Sequence, residues 1–193
     1  MKAPAVLSAL LLGACAAPTL RADAPPPPEP TRAERLAETL LQASEASLNG
    51  DRTALARAVT RLDHAGARPL PEAREDPLPG WRAAAGASEP PLRGSALGPG
   101  YRSGRIARGE RERFAQLFLS GTASTIALSA PNGDRVELEV RDPQDRPVCR
   151  RVAGQAGAGQ GGACRWVPLF TQRYTIEVAN LGEADARYFL VVE

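Results

Sequence analysis

Leu36, Leu40, Leu41, Ser44 and Leu48 recur at helical intervals and share one stripe of a helix. Thr31 and Glu34 ahead of them have the spacing of a capping box, which satisfies two amide donors at a helix start. Asn49-Gly50 ends that helix, and Asp51 is suited to cap a second with Ala54, Leu55, Ala58, Val59 and Leu62 on one face and Gly66 as its stop. Residues 31–66 are therefore expected to be a helical hairpin that docks its leucine stripe, with a dimerising or partner-binding helix pair as the alternative.

From Ala67 to Gly100 Pro punctuates the chain and neither helical nor strand periodicity is sustained. This is read as a linker, or as a strap that lays Leu78, Trp81, Leu92 and Leu97 on a neighbouring surface. A Trp tilts the reading towards docking, because a large amphipathic ring is poorly used in open solvent.

Beyond Tyr101 the pattern turns to alternation. Val136, Leu138 and Val140 alternate with Arg135, Glu137, Glu139 and Arg141, predicting a strand with one dry and one wet face. Tyr174, Ile176 and Val178 repeat that pattern in "RYTIEVAN". "ERFAQLFLSG", "TASTIALSA", "RPVCRRV", "CRWVPL" and "RYFLVVE" bring the strands to seven, or eight with "GRIA". Trp166 lies on one of them, where core packing is expected. The fold class is mainly β: an antiparallel sandwich preceded by a small helical hairpin and a Pro-rich linker.

Small-Gly-x-Ile at Ser103–Ile106, Gly109-Glu110, the aromatic strand from Phe114 to Leu119 and Val136-x-Leu138-x-Val140-x-Asp142 form one set of spaced features. Tyr174-x-Ile176-x-Val178 and Tyr188-x-Leu190-x-Val192 complete it. Together they resemble the bacterial pre-peptidase C-terminal domain, a β-sandwich appended to secreted proteases and other exported proteins. The resemblance covers residues 101–193, about half the chain. That family often has two aspartates flanking the first apolar residue of the central strand. Here the stretch is Asp134-Arg135-Val136-Glu137, so no Ca²⁺ site is carried over. No protease domain stands ahead of the module, and a passenger role is not carried over either.

The amino terminus adds a location. Lys2 precedes the apolar run "APAVLSALLLGA", too short for a span of about 20 residues but suited to the core of a secretory signal. Ala14-Cys15-Ala16 satisfies the small-x-small rule of ordinary cleavage, which removes Cys15. Leu12-Gly13-Ala14-Cys15 resembles the bacterial lipobox, in which the cysteine is lipidated. The lipobox is preferred because the apolar run stops at Cys15 and the spacer "APPPPEP" follows, a polyproline II tether. The segments expected are a signal peptide (1–14), a tether (15–30), the hairpin (31–66), the linker or strap (67–100) and the sandwich (101–193). The location expected is the bacterial envelope through a lipid anchor, with a soluble periplasmic or secreted protein as the alternative.

Composition then excludes several functions. The net charge is +2 and Lys2 is the only lysine. Glu110 and Glu112 interrupt the densest arginine run and are read as one wet strand edge, not a nucleic-acid stripe. Cys149 and Cys164, with no nearby His or third Cys, are expected to form a disulfide across the Gly-rich loop, not a metal site. His64 is the only histidine and Asp63 precedes it, but adjacent helical residues do not face each other. No nucleophile or phosphate-loop motif is present and no carboxylate pair is visible, so neither catalytic residues nor a cofactor are expected. The expectation is a non-enzymatic binding or accessory module for a protein or polysaccharide ligand, with an envelope component assembling through the hairpin as the alternative. Gly154, Gln155, Gly157 and Gln160, in a loop at one sandwich end, are the candidate contacts.

Overall fold

The computed structural model describes residues 29–71, 73–88, 98–154 and 161–193. Helix α1 (Arg32–Leu48) opens on the capping box: Glu34 N donates to Thr31 Oγ1 at 3.2 Å and Thr31 N to Glu34 Oε2 at 2.7 Å. Helix α2 (Arg52–Ala65) starts where Ala54 N donates to Asp51 Oδ1 at 2.9 Å. It stops at Gly66, whose φ of 67° lies in the left-handed region that a Cβ disfavours.

Strand β1 (Arg68–Pro69) and helix α3 (Leu78–Ala85) follow. Eight longer strands then complete the chain: β2 (Gly100–Ile106), β3 (Arg111–Phe118), β4 (Ser124–Ser129), β5 (Val136–Arg141), β6 (Pro147–Ala153), β7 (Gly161–Trp166), β8 (Gln172–Asn180) and β9 (Ala186–Val192). They form two sheets, β1-β2-β9-β4-β7 and β3-β8-β5-β6, antiparallel except for β1 against β2.

The molecule has three layers. Between the sheets lie Ile126, Leu128, Leu138, Val140, Ile176, Val178, Tyr188 and Leu190, all buried. The reverse face of the first sheet is apolar too, because Tyr101, Ala127, Ala163, Phe189 and Val191 occupy the alternate positions. Ala127 and Ala163 are small enough for α1 to approach closely, so Leu36, Leu40, Leu41, Leu55, Val59 and Leu62 complete a second core there. Among the described residues no helix covers the outer face of the second sheet.

Two expectations change. Leu48, placed on the buried stripe, is 67% exposed, because α1 ends before the neighbouring layer reaches it. The segment after Ala67 holds a helix as well as an extended strap. Its eight residues are too few to establish a period, yet Trp81 is buried beside Phe189 with ring centroids 6.2 Å apart. Leu92 and Leu97 lie outside the described residues.

Candidate functional site: an apolar sandwich end

Leu119–Ala123, between β3 and β4, and Val167–Thr171, between β7 and β8, meet at one end of the sandwich. Gly121 N donates to Pro168 O at 2.9 Å, Ser120 N to Thr171 Oγ1 at 3.0 Å and Ser120 Oγ to Leu169 O at 2.7 Å. These bonds fasten the two loops to each other, and the apolar side chains stand outward. Leu119, Val167, Leu169 and Phe170 are 57%, 56%, 81% and 69% exposed, and Leu117 adjoins them at 47%. Such a grouping marks a contact surface more often than isolated exposed leucines do.

The floor beneath the loops is aromatic. Phe118 packs edge-on against Trp166 and Tyr174, with centroids 4.8 and 5.7 Å away, and Trp166 lies 5.4 Å from Tyr174. Trp166 thus packs at the core boundary, and Phe170 is the outward ring of this end. Large rings held by one another give the loops a stiff base.

The residues singled out in the sequence fall elsewhere. Gly154 closes β6 at the opposite end with φ 80°, and a Cβ there would lie 1.6 Å from the Asp134 carbonyl oxygen. Its smallness is a requirement of chain packing. Gln155, Gly157, Gln160 and Cys15 lie outside the described residues. Cys149 and Cys164 are bonded, with Cα atoms 5.6 Å apart, and tie β6 of one sheet to β7 of the other. Asp63 does not serve His64; it receives Arg82 Nη2 at 2.5 Å, and His64 is exposed.

Glu110 and Glu112 are not on one wet edge. Glu110 is exposed, whereas Glu112 points between the sheets and accepts from Arg102 and, at 2.9 Å, from the Tyr188 hydroxyl. Burial raises the Glu112 carboxyl, but those two donors outweigh it and hold it below the usual carboxylate range. Burial and the Glu112 charge push the Tyr188 phenol up. Arg102 also lies 4.5 Å over the Phe114 ring.

A carboxylate pair does exist, on the outer face of the second sheet. Glu139 and Glu177 are cross-strand partners, each 2% exposed. Arg113 on β3 and Arg150 on β6 flank them, making an Arg-Glu-Glu-Arg row across the sheet. Glu177 accepts from Arg113 and, at 2.6 Å, from Arg111; Glu139 pairs with Arg141 at 2.9 Å and Arg150 at 3.1 Å. Burial raises the Glu177 carboxyl, yet the Arg113 and Arg111 hydrogen bonds prevail and leave it lowered. A glycosidase-type pair needs one carboxyl kept protonated as an acid, and the arginines on Glu177 impose the opposite there. The row is an ionic brace on a solvent-facing sheet.

A cleft of about 210 Å³ lies between α1, the strap and the first sheet, lined by Ser44, Trp81, Ser103, Arg187 and Phe189. Its main polar groups already serve one another, since Arg187 Nη1 donates to Ser44 Oγ at 2.7 Å. Among the described residues no group of His, Cys, Asp and Glu is placed to hold a metal ion, and no helix is long and apolar enough to cross a membrane.

The fold and its apolar end define a β-sandwich with a helical layer on one sheet. No family model and no curated protein matches the chain. Solved structures that align with about half of it include the following three. A periplasmic inhibitor of g-type lysozyme from Aeromonas hydrophila is 13% identical over 53% of this chain and 90% of its own, with a TM-score of 0.39. The pre-peptidase C-terminal domain of a Bacillus anthracis collagenase is 11% identical over 47% and 87%, with a TM-score of 0.39. A carbohydrate-binding module of Cellvibrio mixtus lichenase 5A, solved with cellotriose, is 8% identical over 46% and 72%, with a TM-score of 0.32. At these scores nothing of those proteins' activities carries over to this chain.

Proposed function

We propose that the chain is a non-enzymatic, exported protein of the bacterial envelope, lipidated at Cys15, that acts by binding through the apolar end of its sandwich. The observation that carries the reading is the pair of hydrogen-bonded loops that hold Leu119, Val167, Leu169 and Phe170 in solvent. The Cys149–Cys164 bond supports an oxidising compartment. The apolar stripe of α1 is already buried against α2 and the first sheet, and that of α2 against α1 and α3, which counts against assembly through the hairpin. A surface of three aliphatic side chains and the Phe170 ring offers no side-chain donor of its own, which disfavours a polysaccharide ligand, whose hydroxyls need hydrogen-bonding partners.

Intact-mass measurement of the protein from native membranes tests the anchor. A mass beginning at Cys15 with acyl chains is expected, and a soluble species beginning near Ala17 overturns it. The contact surface is tested by a photo-crosslinking residue at Phe170 or, at the opposite end, at the exposed Asn132. Adducts to protein or lipid are expected from position 170 and not from 132. Absence of adducts from 170 in intact cells overturns the binding reading.

A further inference from the structure

Building on the reading of the apolar end as the contact surface, we propose that its partner is the lipid bilayer itself: Leu119, Val167, Leu169 and Phe170 seat in the headgroup boundary and orient the module on the membrane. Three observations carry this.

The chain enters the module at this end. Arg165, next to Trp166, donates to Glu34 in the first turn of α1 at 2.5 Å, and Arg32 pairs with Glu193 at 2.9 Å. These pairs set the first turn of α1 against the ends of β7 and β9 that adjoin the apolar loops, while Pro30 itself lines a cleft with Leu128 and Ser129 further along β4. The stretch from Cys15 to Pro30 reaches about 50 Å at most when fully extended, so an anchor at Cys15 leaves this end free to reach the membrane surface. Tethering turns a weak second contact into an intramolecular one.

Charge is distributed as an interface requires. No charged residue occurs between Arg113 and Asp134, nor between Arg165 and Arg173. The Val167–Thr171 loop is thus bracketed by two arginines, and Arg173 is exposed where it meets anionic headgroups. The β5–β6 turn at the same end carries Asp142 and Asp145. Asp142 is paired with Arg146 at 2.8 Å, and Asp145 lies 3.7 Å from Arg141.

The surface is small and rigid. Five exposed apolar side chains give a second copy only a small apolar core to bury, less than the standard-size stable interface provides. Insertion of a few apolar side chains into the acyl boundary needs no matching shape, and the inter-loop bonds already pair Ser120 N, Ser120 Oγ and Gly121 N, donors that lipid would leave unpaired.

The test uses full-length protein purified from native membranes and placed on vesicles of phosphatidylethanolamine and phosphatidylglycerol, with and without brominated acyl chains. Phe170→Trp and Asn132→Trp put reporter rings at the two ends. Emission added by Phe170→Trp is expected to fall about twofold on brominated vesicles, as befits a ring at the acyl boundary, while that of Asn132→Trp is unchanged. In Leu169→Ser protein the Phe170→Trp quenching is expected to weaken. An acylated protein that sediments with the vesicles but shows no quenching at position 170 overturns the docking and leaves the anchor standing. Protein that does not sediment at all overturns both. Equal quenching at both ends also overturns the docking, since the module then has no preferred face.

Discussion

Arg102 on β2 and Glu112 on β3 are joined by an ion pair across the interior of the sandwich, at the side opposite the Cys149–Cys164 bond. The two sheets are therefore tied at both margins, by charge between β2 and β3 and by a covalent bond between β6 and β7. The apolar core lies between these ties. Such bracing keeps the end loops in one relative position, which a preformed contact surface needs.

Breaking the ionic tie from one side leaves a buried charge poorly compensated. Glu112→Gln is expected to lower unfolding stability by about 3 kcal/mol, the lower end for a buried pair, because Tyr188 retains a hydrogen-bond acceptor. Arg102→Leu combined with Glu112→Leu should recover most of that loss. Urea denaturation of the single and double variants measures both.

Removing the covalent tie acts mainly on the unfolded chain. Replacing Cys149 and Cys164 together by Ser is expected to cost about 3 kcal/mol, the chain-entropy value for a closed loop of about 15 residues. Thermal unfolding of the oxidised protein and of the double variant checks this. Reduction of the wild type should reproduce the variant's midpoint.

The helical layer is an integral part of the folded body. Leu40→Ala should cost about 2–5 kcal/mol, since Leu40 is fully buried between α1, α2 and the first sheet. Leu48→Ala is expected to stay within about 0.5 kcal/mol, because that side chain is exposed. Equal losses for the two would mean that the hairpin docks through another face.

Stability should be level across neutral pH and fall at both extremes. Glu112 and Glu177 have folded values below their ordinary 4.5, so the folded state binds fewer protons there; their stabilisation is present above 4.5 and is lost as pH falls through the folded values. Tyr101, raised by burial and by its hydrogen bond to Asp76, and Tyr188 have folded values above 10.0. Their contribution is complete below 10.0 and declines as pH rises beyond it. Denaturant midpoints from acid to alkaline pH test the window, and Glu177→Gln should shrink the acid limb.

At the opposite end of the sandwich, Gly154→Ala should destabilise strongly, because the new Cβ meets the Asp134 carbonyl in a left-handed backbone. The thermal midpoint of that variant checks it, and an unchanged midpoint would show that the β6 end relaxes freely.

Periodicity made the strands and the hairpin legible. Alternation at Val136, Leu138 and Val140 reports one dry face, and the stripe from Leu36 to Ser44 reports a helix against a neighbour, whatever that neighbour is. The capping signals at Thr31, Glu34, Asp51 and Gly66 are local chemistry and carry the same meaning in any fold. The exposed end was less legible: "LFLSG" and "WVPL" read as parts of strands, and nothing in them distinguishes an apolar residue that packs from one that stands in solvent.

By itself, then, the sequence determined which segments are helix and strand, where the caps lie, and that Cys149 and Cys164 make an even pair. Only the tertiary structure decided that the helices cover one sheet, that Glu139 meets Glu177 between arginines, that Glu112 turns inward to Arg102, and that two distant loops merge into one apolar end. Periodicity is set within a few residues of chain. Pairing register and sheet stacking join residues far apart in sequence, and a one-residue change in register would send every one of these side chains to the other face.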